Sequence, residues 1–449
     1  MNLLIEWPWL IPAGAAVVGM LFYMVAKPTL WIGSFLIALP YFLTDVSKGI
    51  SPTEVAGAAL FTGGIAAWMV KRIFADPRPL VQDWLDFLLL LFIVLTFANG
   101  LVAALNGIPL LGWAVDWSYF LLMLYCFPMR ELFGKDENGL KQFLTMSGVS
   151  AILMALYSSY LFKQRISENL IYAYQIMGSR SILLGPIFLL ALSIAIVFVF
   201  HVRWKGKIFL SIVILTNLVG LLLTFTRTLW VFLFACVGLA MLFLKFRQSL
   251  KIATTAVLLA SCTIGVFSIA YPRLTKIGVR MVTQRFSTAT QLSGGDWSFE
   301  TRLIEVRNAW RKVKQAPLGG HGLRARFVTW APIEQWHNTT AFVHIGYVGL
   351  IHKLGFPTAF LLFVVIVGYS IRAFRLALRA RHPSAPALAR ALAIGVFAFQ
   401  PALYVNIFMA GFFDQRYGNV MFAFIFASIA IADRFIRHSR TEHNLRSIQ

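Results

Sequence analysis

Apolar runs long enough to cross a bilayer follow one another along almost the whole chain, and no other feature limits its fold so strongly. A membrane-spanning helix needs about 20 predominantly apolar residues. Runs of this kind cover 9–26, 29–45, 53–70, 84–105, 112–127, 142–162, 181–201, 208–224, 228–245, 250–271, 345–371, 390–410 and 418–436. They predict an all-α polytopic membrane protein with about 12–13 transmembrane helices. Composition agrees, since 59% of the 449 residues are apolar and 13% are charged, against about 45–50% and about 25% in soluble domains. A water-soluble chain could not hide so much apolar surface, and disorder, a collagenous chain and a disulfide scaffold are excluded too. The N-terminus lacks the basic segment of a cleavable leader and leads straight into further spans. Cys126, Cys236 and Cys262 lie within apolar runs without metal or disulfide spacing, so they read as small core residues.

In a soluble chain the net charge of +22 would suggest nucleic acid. The cations instead collect in alternate connections between spans. Twenty-two fall on one side, among them Arg203, Lys205, Lys207, Arg372, Arg375, Arg379, Arg381, Arg434 and Arg437. The short loops of the other side carry six: Lys48, Lys163, Arg165, Arg180, Arg227 and Arg416. The positive-inside rule then predicts a cytoplasmic C-terminus. No basic and aromatic face separate from the spans is visible, so no nucleic acid is expected as partner. The chain divides into an N-terminal transmembrane bundle (1–271), a polar loop (272–344), C-terminal transmembrane helices (345–436) and a basic tail (437–449).

The same alternation places the polar loop on the non-cytoplasmic face, and long loops of this kind are usually functional. Between Glu300 and Gln315, Leu303, Val306, Trp310 and Val313 recur at helical spacing, bounded by Ser293-Gly294-Gly295-Asp296 and Pro317-Leu318-Gly319-Gly320. Such a helix often does no more than cover other helices or lie on the interface. The loop nevertheless holds eleven cations against Asp296, Glu300, Glu305 and Glu334, on the side where cations are normally sparse. With Arg180 and Arg227 at exterior ends of spans, these predict a positive exterior cavity. Guanidinium suits bidentate recognition of phosphate; the plainer alternative is contact with lipid headgroups or snorkelling.

Four histidines, His321, His337, His344 and His352, fall in or just after this loop. Histidine serves as a general base near neutral pH with little tuning. His337, His344 and His352 stand seven and eight residues apart, a spacing that lets them share one helix face. Nearby carboxylates are few, and neither an Asp-x-Asp cluster nor a phosphate-binding loop of the Walker type is present, so neither metal nor cofactor is expected.

Thr301-Arg302-Leu303-Ile304-Glu305, Pro317-Leu318-Gly319-Gly320-His321-Gly322, and the stretch from Trp336-His337-Asn338 to Gly355-Phe356-Pro357-Thr358 together resemble the O-antigen ligase/polymerase superfamily. The resemblance implies a bacterial inner-membrane glycosyltransferase with a GT-C-like helical fold and a large periplasmic loop. Such enzymes take a glycan from undecaprenyl pyrophosphate and transfer it to an acceptor hydroxyl at the periplasmic face, without metal and with inversion. The acceptor is lipid A-core in a ligase and a growing glycan in a polymerase of O-antigen or exopolysaccharide. Carried onto this chain, the resemblance makes Arg180, Arg227, Arg285 and Arg302 pyrophosphate contacts, with Arg307, Arg324 and Arg326 in reserve. The base is His337 or His344. His337-Asn338 keeps the family's dipeptide of histidine and small polar residue, whereas His344 keeps its distance to Gly355-Phe356-Pro357-Thr358. Ligation is the favoured reading. A secondary transporter is the competing class, but transporters usually show repeats and ionisable residues in mid-span, and neither is evident.

Overall fold

In the stretch Trp84–Leu105, Leu85, Leu89, Phe92, Ile93, Thr96, Asn99 and Ala103 are buried, while Phe87, Val94, Phe97, Leu101 and Leu105 are exposed. Both stripes follow helical spacing, and both are largely apolar. That is how a helix looks with one face against protein and the other against hydrocarbon. The computed structural model describes residues 19, 23, 26–44, 52–76, 79–167, 184–251, 254, 261, 265, 268–269, 297–331, 336–409, 413 and 416–448.

The helices are α1 (Pro28–Thr44), α2 (Pro52–Ala75), α3 (Trp84–Leu105), α4 (Leu110–Leu121), α5 (Cys126–Phe133), α6 (Glu137–Ser167), α7 (Gly185–Phe198), α8 (Trp204–Leu223) and α9 (Arg227–Met241). After these come α10 (Trp297–Val313), the strands β1 (Phe327–Ala331) and β2 (Trp336–Thr340), then α11 (Gly346–Leu354), α12 (Phe356–Ala380), α13 (Ala387–Met409) and α14 (Arg416–Ile448). Among the described residues, 7 helical stretches are long and apolar enough to cross a membrane: Trp84–Leu105, Leu110–Phe133, Glu137–Gln164, Trp204–Leu222, Phe356–Ala380, Ala387–Phe408 and Tyr417–Ser439. Pro28–Ala38, Gly185–Phe198 and Thr228–Met241 are shorter apolar helices. The chain is therefore an all-α polytopic membrane protein. The expected runs at 9–26 and 250–271 lie largely outside the described residues.

At the centre, α7 is buried along most of its length and packs against α8, α9 and α13. Pro186 in its first turn removes a donor that the helix leaves unused there. Cys126 and Cys236 are buried and free, as small core residues should be.

An ionic network ties one end of the bundle together. Asp86, fully buried at the start of α3, accepts from Arg130 Nη1 at 2.9 and 2.8 Å and from the Tyr369 hydroxyl at 3.3 Å. Asp433 on α14 accepts from Arg372 at 3.0 Å and from Arg437 at 2.7 Å, and Arg72 reaches Glu131 at 2.7 Å. Removing either member of a buried pair strands a charge at a cost of about 3–5 kcal/mol, so these contacts lock α2, α3, α5, α12 and α14 in register. The opposite end carries the loops that hold the histidines.

Two expectations change here. The run 345–371 is not one span: Gly355 (φ 79°, ψ 166°) breaks it into α11, which is too short to cross, and α12. The all-α reading also has one local exception, the antiparallel hairpin in which Trp330 pairs with His337 and Phe327 with Thr340. Thr, Val and Trp favour a pleated ribbon there.

Candidate active site

The amphipathic helix expected over Glu300–Gln315 is α10, which begins slightly earlier, at Trp297. Its apolar side packs on the hairpin and on the approach to α11, where Ala309, Phe327 and Val343 form a small core with Val348 against it. Asn308 Nδ2 donates to Thr329 Oγ1 at 3.4 Å across the same seam. The outcome is a compact extramembrane unit whose parts position one another.

This unit joins the bundle through the Pro317–Gly322 turn. The Phe356 amide donates to Pro317 O at 2.7 Å, the His321 amide to His352 O at 2.9 Å, and the Gly322 amide to Lys353 O at 2.9 Å. Asn99, buried near the far end of α3, clamps the turn from below. Its Nδ2 donates to Gly319 O at 3.2 Å and Lys353 O at 3.1 Å, while its Oδ1 accepts from the Leu323 amide at 3.0 Å. Gly320 (φ 66°) and Gly355 meet backbone to backbone, and a Cβ at Gly355 would run into the carbonyl oxygen of Leu318. Only glycine fits that conformation and that approach.

Within this frame His344 sits just ahead of α11, at the side of α10. Its Nδ1 lies 2.6 Å from Glu305 Oε2, and its own amide donates to the same oxygen at 3.3 Å. The Glu305 side chain is 10% exposed and that of His344 36% exposed, so the carboxylate is sheltered while the imidazole edge remains reachable. A carboxylate can only accept, so Nδ1 donates to it, and the contact fixes which edge of the ring faces away from Glu305. Phe342 stands edge-on to the ring at 4.9 Å and limits its rotation. Arg302 is one helical turn before Glu305 on α10, which places both on one face. It is partly buried, and its Nε has no hydrogen-bond partner in the protein.

The other expected residues have separate locations. His337 is exposed on β2, with its ring 5.1 Å from Trp330. His352 is fully buried in α11, 5.1 Å from the His321 ring, and neither of its ring nitrogens has a partner. Burial, with His321, Lys353 and Lys312 adding to it, pulls the His352 pKa down to about 3. His337, His344 and His352 therefore do not share a helix face: a strand, a loop and a short helix carry them, because Gly346 starts α11 only after His344. His321 Nε2 donates to Lys312 O at 2.8 Å and helps hold the turn.

Arg227 is the first residue of α9, just after Phe225 takes a left-handed φ of 48° between α8 and α9. A Cβ on Gly185 would meet Leu229 and Thr224, so the span that follows Arg180 enters beside the one that Arg227 begins. Arg180 and Arg285 themselves lie outside the described residues. Arg307 and Arg326 are exposed, and Arg324 (φ 66°) reaches back to Gly112 O with Nη1 at 3.4 Å. Among the described residues no three side chains of His, Cys, Asp or Glu converge as metal ligands.

Sequence reasoning assigned Glu305 no role beyond membership of the segment 301–305 and of the loop's four acids. Its spacing after Arg302 put it on the same helix face as that arginine, which was a usable signal. Nothing local pointed across the 39 residues to His344.

Fold and site together define a polytopic membrane protein that holds an imidazole oriented by a glutamate at one end of its bundle. Residues 212–363, about a third of the chain, match the family model described as O-antigen ligase, which supports the O-antigen ligase/polymerase superfamily. The match runs from α8 into α12 and includes Arg227, Arg302, Glu305 and His344. It supports a glycosyltransferase-like enzyme of ligase or polymerase type that uses lipid-linked glycans. No curated protein matches the chain.

Proposed function

We propose that this protein transfers a glycan from undecaprenyl pyrophosphate to an acceptor hydroxyl at the periplasmic face of a bacterial inner membrane, most specifically O-antigen to lipid A-core. His344 is the base in this reading. Its Nε2 takes the proton of the acceptor hydroxyl as the oxygen attacks the anomeric carbon, while the bond to the pyrophosphate breaks on the opposite face and the configuration inverts. Glu305 positions the ring, fixes its tautomer and stabilises the imidazolium that forms.

Negative charge develops on the departing diphosphate, and preorganised cations aimed at it are the strongest means of lowering that barrier. Arg302 fills this role beside His344, with Arg227, Arg180 and Arg285 as the further contacts. The chemistry uses imidazole and guanidinium and needs no metal in this scheme. The reading rests above all on the 2.6 Å contact between His344 and Glu305, with the buried, unpaired Nε–H of Arg302 one helical turn before that glutamate. The ionic network at the other end of the bundle agrees with a cytoplasmic C-terminus and a periplasmic site.

Complementation of defined knockouts tests the proposal. Restoration of smooth lipopolysaccharide in a strain that accumulates lipid-linked polymer identifies a ligase. Conversion of single capped repeat units into long chains identifies a polymerase, and failure of both overturns the transferase assignment.

A further inference from the structure

Away from the histidines, α6, α7 and α8, with contributions from α1, α13 and α14, line a partly open cavity of about 240 Å³. It is larger than the roughly 150 Å³ apolar cavity that stays dry and takes up benzene. Leu190, Ile194, Phe198, Phe209, Leu210 and Val213 supply much of its wall. Three hydroxyls also line it, and each donates to a backbone carbonyl: Thr145 to Lys141 O, Ser147 to Phe143 O, and Ser150 to Leu36 O. With their protons committed to the backbone, these hydroxyls can only accept, and the wall is predominantly hydrocarbon.

The single charged residue in the lining is Lys141. It marks the basic end of the bundle, where Val202, Gly206 and Leu388 complete the rim. Arg203, Lys205 and Lys207 are exposed beside Val202 and Gly206. Glu137 pairs with Lys141 at 2.9 Å, and Asp136 caps the same turn, so the rim keeps an excess of cations. About 72% of the spanning windows of α6 and α8 lies unburied, so two of the helices that line the pocket also present faces to the bilayer.

We propose that this cavity holds one acyl chain of an anionic glycerophospholipid whose phosphate rests on Lys141, Arg203 and Lys207. Hydrocarbon below and cations above match one amphiphile, and basic pockets between membrane helices bind anionic headgroups in this way. The occupant is a bilayer lipid and not the glycan carrier, because the cavity's charged rim is at the end of the bundle opposite His344. The inference stands on the cavity's own chemistry and is independent of the transferase reading.

Native mass spectrometry of the full-length protein in mild detergent tests it, with palmitoyl-oleoyl phosphatidylglycerol, palmitoyl-oleoyl phosphatidylcholine and undecaprenyl phosphate as probes. Wild type should retain one phosphatidylglycerol in preference to phosphatidylcholine. Lys141→Gln and Lys207→Gln, both at exposed positions that leave the fold intact, should each weaken that retention by about fivefold, the effect of one cation at an anionic surface. Ala191→Trp, which fills the cavity, should abolish retention while transfer activity persists. Equal retention of both phospholipids, displacement of phosphatidylglycerol by equimolar undecaprenyl phosphate, or undiminished binding in Lys141→Gln and Lys207→Gln would each overturn the assignment.

Discussion

Glu305 and His344, 39 residues apart in sequence, meet at 2.6 Å between Oε2 and Nδ1, and the His344 amide points at the same carboxylate oxygen. Two donors from one residue on one oxygen fix the imidazole in position as well as in tautomer. The half-exposed ring thus turns its Nε2 edge away from Glu305. His337 stands exposed on the hairpin with its ring against Trp330.

His344→Ala is expected to lower glycan transfer by about 10²–10⁴-fold, the usual range for loss of a general base. His337→Ala should remain within a few-fold of wild type. Lipopolysaccharide banding, scored with the membrane level of each variant, checks both. A silent His344→Ala beside an inactive His337→Ala would reverse the assignment.

Glu305 acts through His344, so its variants should separate turnover from binding. Glu305→Ala should reduce kcat by about 10–100-fold, as loss of an orienting partner typically does, with little change in KM for the lipid-linked donor. Glu305→Gln, whose amide oxygen still accepts from Nδ1, should recover part of the loss. Equal kcat losses in both variants, or a change confined to KM, would contradict a positioning role.

The junction between turn and bundle should be intolerant of small changes. Gly355→Ala introduces a Cβ in a conformation that is essentially glycine-only and drives it against Leu318 O. Destabilisation of about 1–3 kcal/mol is expected from the backbone strain alone. Asn99→Ala strands the Leu323 amide and the Gly319 carbonyl, at about 1–3 kcal/mol for each group left unsatisfied, while Lys353 O keeps the Gly322 amide. Thermal unfolding in detergent reads both, and an unchanged midpoint in either would show that the turn does not depend on that contact.

His352 makes the same junction sensitive to acid. Its folded pKa is pulled to about 3, below the ordinary value of about 6.5, so between these values the unfolded chain binds the extra proton. Stability conferred by the neutral buried ring is therefore complete above about pH 6.5 and falls by roughly 1.4 kcal/mol per pH unit below it, down toward the folded value. Because neither ring nitrogen has a partner, His352→Leu should retain stability at pH 7.5 and flatten the decline between pH 6.5 and 4.5. The same slope in wild type and His352→Leu would locate the acid sensitivity elsewhere.

The membrane architecture was legible because hydrocarbon solvent imposes a rule that each segment satisfies alone: a run of apolar residues must become a helix. α3 matches its expected run from 84 to 105 residue for residue, and α13 and the spanning part of α14, Tyr417–Ser439, follow theirs closely, although α14 itself continues to Ile448. Around Gly355 the rule failed, since apolar content says nothing of the backbone conformation that splits 345–371 into a short helix and a span. The hairpin was missed for a related reason, as a two-stranded ribbon gains its definition from the helix it packs on. Periodicity likewise put three histidines on one face that a strand, a loop and a helix hold apart.

The amino-acid order by itself determined that this chain resides in a membrane, where its spans fall and which groups could handle protons and phosphate, because these are properties of residue type and local pattern. Only the tertiary structure chose among those groups. It brought a glutamate of α10 to one histidine of four, left another on an open ribbon and buried a third without partners. Pairing across 39 residues depends on how α10, the hairpin and α11 pack together, and no local spacing encodes that distance.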